Sequence, residues 1–355
     1  MMSTDLGRRD FLKYSAAAGV LLAAGNTVEE KASADGGEGP AQAASNIVEV
    51  DKVSIWVLTD NYYDALRPDN KITKRYRSTP GKSIHAEHGL SYYVETVVNG
   101  QTSACMFDFG LDPVGVLNNL ALLGIDIGKS SSFCLSHGHF DHFMAAVEIL
   151  KQNQPRLSKD APFYVGEEAF DHRYILRPGA DDLLDLGQLN KEDLEALGLK
   201  VVVIKNSTPI IPGAYFTGHI ERLTAYEKVS PNLLIKRGEK TEPDDFRGEQ
   251  ALFFKVKGKG LVILSGCAHA GIVNTVKQAQ KVARTEKVFG IMGGFHLTNK
   301  KPELIRNTVA DIKAIRPEFI APTHCTGFEA VMAFQKEMPN EFILNTAGTQ
   351  YTVSA

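Results

Sequence analysis

Three features that are typical of other classes of protein are weak or absent in this sequence. Its net charge is only −3, from 39 basic and 42 acidic residues, so nothing indicates a nucleic-acid surface. Its four cysteines have no disulfide-framework spacing. The apolar stretch from Ala16 to Ala24 is too short and too rich in alanine for a good membrane span. With 43% hydrophobic and 23% charged residues, we predict a globular protein without nucleic-acid partners or stable membrane insertion.

One short segment concentrates side chains that bind metals: Leu135-Ser136-His137-Gly138-His139-Phe140-Asp141-His142. The apolar residues before it predict a strand, in which side chains two apart point the same way, so His137 and His139 would face together. Asp141 and His142 begin an amphipathic stretch that predicts a helix. The turn would then present one pair of ligands from His137 and His139 and a second pair from Asp141 and His142. The two pairs would lie far enough apart to bind two metal ions.

Other histidines follow similar apolar runs. His269, His296 and His324 each come directly after a short apolar segment with neighbouring glycines. Together with His219 and the three histidines of the first segment, they stand at strand-to-turn junctions. We therefore predict that these side chains converge at one edge of the sheets.

The spacing HxHxDH over 137–142 resembles the signature of the metallo-β-lactamase superfamily. Further motifs are similar to the branch labelled 7,8-dihydropterin-6-methyl-4-(β-D-ribofuranosyl)-aminobenzene-5′-phosphate synthase-like, and they lie at 60–61, 86–91, 107–110, 266–269, 271–274, 293–297 and 324–327. The resemblance covers residues 48–355 and implies an α/β (α+β) fold, the αββα sandwich of this superfamily. It also implies two divalent metal ions. Nitrogen-rich ligation favours zinc, and iron or manganese is compatible with the same ligands.

The resemblance implies a set of metal ligands: His137, His139, Asp141, His142, His269 and His324. For the third ligand of the first metal we favour His269, because Gly-Cys-x-His recurs in the branch. His219 is the alternative, since it occupies the position that most superfamily members use. Cys267 is a further candidate ligand, where many members carry a bridging aspartate. Asp108 would orient a liganding imidazole, and Cys325 would lie just outside the ligands.

The resemblance also implies that four residues take part in catalysis or in substrate binding. Asp141, besides binding the second metal, would orient the attacking hydroxide. His296 is typical of the branch and would bind substrate or donate a proton. His88 and Glu87 would line the entrance, with core packing as the alternative for His88.

These features imply a metal-dependent hydrolase in which a hydroxide activated at a dinuclear site attacks an ester, amide or phosphoester of a small molecule. One alternative is a transferase that joins a pterin methyl diphosphate to an aminobenzene ribofuranosyl phosphate with loss of diphosphate. Another is a metal-binding protein without catalysis, which would need Cys267, His219 and His296 to saturate the ions. Di-iron members that reduce oxygen or nitric oxide usually carry glutamate where this chain has His139.

The N-terminus resembles a twin-arginine export signal, with Arg8 and Arg9 ahead of the apolar stretch. We predict a signal peptide over 1–34, a flexible linker over 35–47 and one metallo-β-lactamase-fold domain over 48–355. The protein would then be periplasmic or otherwise exported. It would be cytoplasmic if the signal does not function.

Apolar periodicity predicts alternating strands and helices. Strands are expected at 48–59, 91–98, 103–108, 131–136, 162–165, 200–205, 209–217, 232–237, 251–257, 260–265, 287–292, 317–321 and 341–345. Helices are expected at 112–123, 141–153, 271–284, 301–314 and 327–337. Strands 251–257 and 260–265 should form a hairpin. The acidic, leucine-rich region 166–199 predicts an amphipathic surface helix, with a lid over the site as the alternative.

Overall fold

The structure is a computed structural model that describes residues 47–177, 179 and 182–355. The predicted signal peptide and residues 35–46 of the predicted linker lie outside the described residues. The strands, numbered β1 to β19 in this order, are Glu49–Val50, Lys52–Thr59, Thr73–Arg75, Ser91–Val98, Gln101–Phe109, Ser132–Cys134, Pro162–Gly166, Arg173–Leu176, Leu183–Asp185, Lys200–Ile204, Thr208–Ile211, Ala214–Phe216, Leu233–Arg237, Lys240–Pro243, Ala251–Val256, Gly260–Ser265, Val288–Gly294, Phe319–Thr323 and Thr349–Ser354. The α-helices, numbered α1 to α7, are Pro113–Leu123, Phe140–Phe143, Ala146–Asn153, Lys191–Ala196, Ile272–Ala283, Pro302–Ile315 and Phe328–Glu337. None of the helices in these described ranges is long and apolar enough to cross a membrane.

Two large sheets form the centre of the fold. The first contains eight strands in the order β10-β7-β6-β5-β4-β2-β19-β3. The second follows the order β11-β12-β15-β16-β17-β18, with β1 also paired to β15. In the second sheet, β16, β17 and β18 run parallel, so their carboxyl ends share one edge. The predicted hairpin is confirmed, because β15 and β16 pair antiparallel through their whole length.

Three apolar layers hold the sheets and helices together. Between the sheets, Tyr92 and Phe107 of the first pack in one cluster with Phe254 and Leu264 of the second. On the outer face of the first sheet, helices α1 and α3 bury a second cluster. On the outer face of the second sheet, helices α5, α6 and α7 bury a third. Each sheet is therefore apolar on both faces, and the order of layers is the predicted αββα sandwich.

The helix predicted within 166–199 is wrong for most of that region. Strands β8 and β9 form a third sheet with β13 and β14, in the order β14-β13-β8-β9. Of the residues described in this region, only Lys191–Ala196 form an α-helix. Leu183 and Leu184 are largely exposed on β9. The strands form because β8 finds a distant partner in β13, which local periodicity cannot reveal.

Other helices and strands differ from their predicted bounds because of contacts with distant parts of the chain. The helix predicted over 141–153 is split into α2 and α3 by a turn at Met144 and Ala145, where the amide of Ala145 donates to the carbonyl of Gly110. The strand predicted over 341–345 is absent. That segment lies beside β18 with a single bridge at Phe342. The strand Thr349–Ser354, which the sequence analysis missed, instead enters the first sheet between β2 and β3.

Candidate metal centre

The clustered side chains lie in loops that follow strand ends. The segment from His137 to His142 follows β6, and the 266–271 loop follows β16. His296 and His324 come after β17 and β18, which run parallel to β16. Both have positive φ, 44° and 53°, so the chain turns sharply at the strand end. The topology thereby brings ligands from distant parts of the sequence to one edge of the sandwich.

A first group contains three buried imidazoles. Ring nitrogens of His137, His139 and His269 all lie within 4.8 Å of one another. Phe246 stacks on His269 with a distance of 3.9 Å between ring centroids. Burial is the main cause that lowers the pKa of each imidazole in the group well below its ordinary value, and the charge of neighbouring histidines adds to it; at His139 the carboxylate of Asp141 opposes the shift. The three rings are therefore neutral at pH 7, the form that binds metals.

A second group adds a carboxylate and a thiol to two imidazoles. Ligand atoms of Asp141, His142, Cys267 and His324 lie within 4.8 Å of one another. Asp141 Oδ2 is 3.2 Å from His324 Nε2, and His142 Nε2 is 3.1 Å from Cys267 Sγ. Burial alone would raise the pKa of Asp141, but His142 and His324 outweigh it and hold that pKa below its ordinary value. The carboxylate is thus ionised.

The donor atoms of both groups fit bound cations. Among the described residues, buried ring nitrogens without a hydrogen-bond partner include Nε2 of His137, both nitrogens of His269 and Nδ1 of His324. A buried polar atom without a partner costs about 1–3 kcal/mol, so such atoms rarely collect without a reason. Neutral imidazole, carboxylate and thiolate are the ligands that zinc accepts. The residues that the resemblance implied as ligands fall into these two groups, and their binding of metal stays a prediction.

Asp108 lies directly behind the second group. Its Oδ2 is 2.7 Å from His142 Nδ1, and its two oxygens also accept hydrogen bonds from the amide and hydroxyl of Ser136, each 2.7 Å long. The hydroxyl of Ser136 reaches His137 Nδ1 at 2.9 Å. The buried carboxylate of Asp108 therefore directs the Nε2 atom of His142 toward the other donors. Through the hydroxyl of Ser136 it is also connected by hydrogen bonds to His137 of the first group.

Two further carboxylates hold the backbone of ligand residues, and the sequence analysis gave neither of them a role. Glu249 accepts hydrogen bonds from the amides of His269 and Ala270, both 2.7 Å long. Asp60 accepts one from the amide of His324. Asp60 belongs to a motif that the resemblance used, which was the available signal. No pattern around Glu249 indicated that it would reach a loop that follows the next strand.

Two predicted residues lie away from the ligand groups. His219 is exposed, with Nδ1 3.3 Å from the carbonyl oxygen of Arg247, and it belongs to none of the groups of donor atoms found in the described chain. Glu87 uses both carboxylate oxygens to accept hydrogen bonds from the amides of Leu111 and Asp112, at 2.9 and 2.8 Å. The carboxylate of Glu87 is thus engaged by the loop after β5.

The remaining predicted residues surround the two groups. His88 stacks on His324 with 4.9 Å between ring centroids, and its Nε2 lies 3.7 Å from Asp141 Oδ2. The His88 side chain is 60% exposed, so it stands at the rim. His296 lies beside His269, with 4.1 Å between ring centroids, and groups with Cys267. Cys325 is buried, with its thiol toward the carbonyl oxygen of Cys267.

The four layers and the donor groups at their edge define a protein of the metallo-β-lactamase fold. The crystal structure of a metal-dependent hydrolase of the β-lactamase superfamily superposes with a TM-score of 0.66 at 24% identity, covering 85% of this chain and 100% of that one. This superposition confirms the predicted fold.

The sequence comparison specifies the family. The chain is 30% identical over 303 residues to 7,8-dihydropterin-6-methyl-4-(β-D-ribofuranosyl)-aminobenzene-5′-phosphate synthase of Methanocaldococcus jannaschii, covering 84% of this chain and 95% of the relative. It is 28% identical over 277 residues to an uncharacterized protein of the same organism, covering 76% and 95%. No protein-family model matches the chain. The chain belongs to the family of this synthase, within the metallo-β-lactamase superfamily.

Proposed function

We propose that this protein is a metal-dependent hydrolase of an ester, amide or phosphoester in a small molecule. The observation that carries the proposal is the pair of adjacent donor groups. The first consists of three imidazoles, and the second of a carboxylate, a thiol and two imidazoles. His137, His139 and His269 would hold one cation, and Asp141, His142 and His324 the other, with Cys267 next to both. Two bound divalent ions would supply an acidified water and positive charge for a developing oxyanion. Zinc suits these donors best.

The residues around the donors have roles of their own. The ionised carboxylate of Asp141 can accept a hydrogen bond from an attacking water and orient it. His296 is only partly buried, which leaves its ring accessible to a substrate, and an imidazole there can donate a proton to a leaving group. His88, at the rim beside Asp141, would contact the substrate as it enters. Asp108 keeps His142 in the tautomer that presents Nε2.

A transferase is the second candidate, and the 30% identity to a synthase favours it. In that case the protein would join a pterin methyl diphosphate to an aminobenzene ribofuranosyl phosphate. Release of diphosphate only when both compounds are present would identify this activity. Hydrolysis of one substrate alone would identify the hydrolase.

The proposal is tested by elemental analysis of the purified protein and by an activity panel of nitrophenyl esters, phosphodiesters and lactams. We expect two divalent ions per chain and hydrolysis of at least one substrate. His139→Ala should lose metal and activity together, because it removes a buried ligand of the first group. His85→Ala, a matched change at an exposed histidine, should retain both.

Two results would contradict the proposal. Full metal content and activity in His139→Ala would show that the assigned ligands are wrong. Two ions per chain without hydrolysis or transfer of any substrate would favour the metal-binding protein without catalysis.

A further inference from the structure

A large cavity lies next to the candidate metal centre. Its volume is about 430 Å³, within the range of pockets that bind small organic molecules. His324 and Asn61 belong to its lining. Asn61 also donates to the carbonyl oxygen of His324 and contacts His88 Nδ1, at 2.8 and 2.9 Å. The cavity therefore adjoins the metal centre through His324 and Asn61.

The surface of this cavity is mainly apolar. Its apolar lining residues are Tyr62, Pro322, Phe328, Val331, Met332 and Leu344. Three of them are unusually exposed for their type: Phe328 at 73%, Met332 at 45% and Tyr62 at 44%. Several exposed large apolar side chains in one concave patch commonly mark a binding site.

The polar side chains of Asp60, Thr323 and Asn345 in the lining already have hydrogen-bond partners. Asn345 Nδ2 donates to Asp60 Oδ2, and Asn345 Oδ1 accepts from the hydroxyl of Tyr351. The hydroxyl of Thr323 also donates to Asp60 Oδ2. The lining, which lies wholly in the described part of the chain, contains no lysine or arginine. A phosphate or carboxylate would lose its hydration there without gaining a cationic partner, whereas an apolar group would lose nothing.

We infer that this cavity, next to the metal centre, binds an uncharged apolar part of the substrate, an aromatic ring or an aliphatic chain that adjoins the bond to be cleaved. The inference rests on the proposed function and adds a class of substrate to it. Tyr62 and Phe328 offer ring faces, and Val331 and Met332 of helix α7 offer aliphatic contact. The scissile group would then lie toward His324 and His88.

Two substitutions test the cavity in different ways. Val331→Trp fills it, and Met332→Glu places a charge in its wall. Val114→Trp and Val114→Glu are matched controls on helix α1, where Val114 is 69% exposed and away from the cavity lining. Binding of the neutral dye Nile red is measured by fluorescence, without turnover. Activity is measured on nitrophenyl esters with acetyl and with decanoyl or benzoyl groups, and thermal melts check that each variant is folded.

We expect both cavity variants to weaken Nile red binding at least tenfold. They should also lower kcat/KM at least tenfold for the large apolar esters, and leave the acetyl ester within about twofold. The Val114 variants should match the wild type. Unchanged dye binding and unchanged substrate preference in two folded cavity variants would overturn the inference.

Weaker dye binding with unchanged substrate preference would also overturn it, because the cavity would then bind an apolar ligand other than the substrate. If the metal-loaded wild type hydrolyses no ester, phosphodiester or lactam, the proposed function fails. The dye measurement still decides separately whether the cavity binds an apolar molecule.

Discussion

At the scale of single residues, the structure distinguishes between two candidates for the third ligand of the first group. The sequence allowed either His269 or His219. The buried ring of His269 has two nitrogens without partners and lies within 4.8 Å of the other two donors, whereas His219 is exposed. We expect His269→Ala to bind fewer than two ions per chain and His219→Ala to keep the wild-type stoichiometry. Elemental analysis after dialysis against metal-free buffer measures both.

The two variants are controls for each other, since each replaces one histidine in a loop by alanine. Loss of metal in His219→Ala with full metal in His269→Ala would exchange their roles. Loss in both variants would show that the loop carrying His219 moves to the centre when metal binds.

Some of the candidate site could be predicted from sequence because it is local. His137, His139, Asp141 and His142 are neighbours along the chain, so their spacing is enough to group them. His269 and His324 needed the recognised motifs in addition. Phe246, which stacks on His269, and Glu249, which binds its amide, were missed because neither stands near a recognised motif and only the folded chain brings them to that loop.

At the scale of elements, a buried carboxylate holds the helix that follows the His269 loop. Glu227 accepts hydrogen bonds from the amides of Val273 and Asn274, at 2.9 and 3.1 Å, in the first turn of α5. These amides have no partner within the helix, and the helix dipole favours negative charge there. Glu227 therefore replaces a side-chain cap, which Gly271 at the N-cap position cannot supply.

We expect Glu227→Ala to lower the free energy of unfolding by about 2 kcal/mol, because it leaves two buried amides without acceptors. Urea unfolding of the metal-loaded protein, followed by circular dichroism, measures the change. Glu303→Ala, in the exposed first turn of α6, is the matched control and should change the value by less than about 0.5 kcal/mol. Equal effects of the two substitutions would mean that Glu227 does not cap α5.

Helices and strands could be predicted where the apolar periodicity was strong. The prediction failed where pairing with a distant strand determined the structure. The long apolar strands β15 and β16 and the amphipathic helices α5 and α6 lie close to their expected bounds. The strands at 173–176 and 183–185 were missed because the acidic, leucine-rich composition of the region also fits an amphipathic helix. The strand 173–176 pairs with the distant strand 233–237, and no local pattern connects the two; the strand 183–185 pairs in turn with 173–176.

At the scale of the whole molecule, the location of the protein stays a prediction. The twin arginines at 8 and 9 predict export of the folded chain. We expect the double substitution Arg8→Lys and Arg9→Lys to keep the protein in the cytoplasm with an uncleaved N-terminus, and the wild type to be processed and exported. Cell fractionation with mass spectrometry of the N-terminus decides. Export of the double variant at the wild-type level would exclude this route.

Metal binding should also stabilise the entire fold, because the donor residues come from loops of both large sheets. The first sheet supplies the segment 137–142, and the second supplies Cys267, His269 and His324. Ions that bind only the folded chain add about 4 kcal/mol when present at a thousand times their Kd. We therefore expect chelation to lower Tm by several degrees and added zinc to restore it, as measured by calorimetry. His139→Ala should show a smaller shift. Identical melting of the loaded and metal-free wild type would mean that the two sheets are not joined through a metal centre.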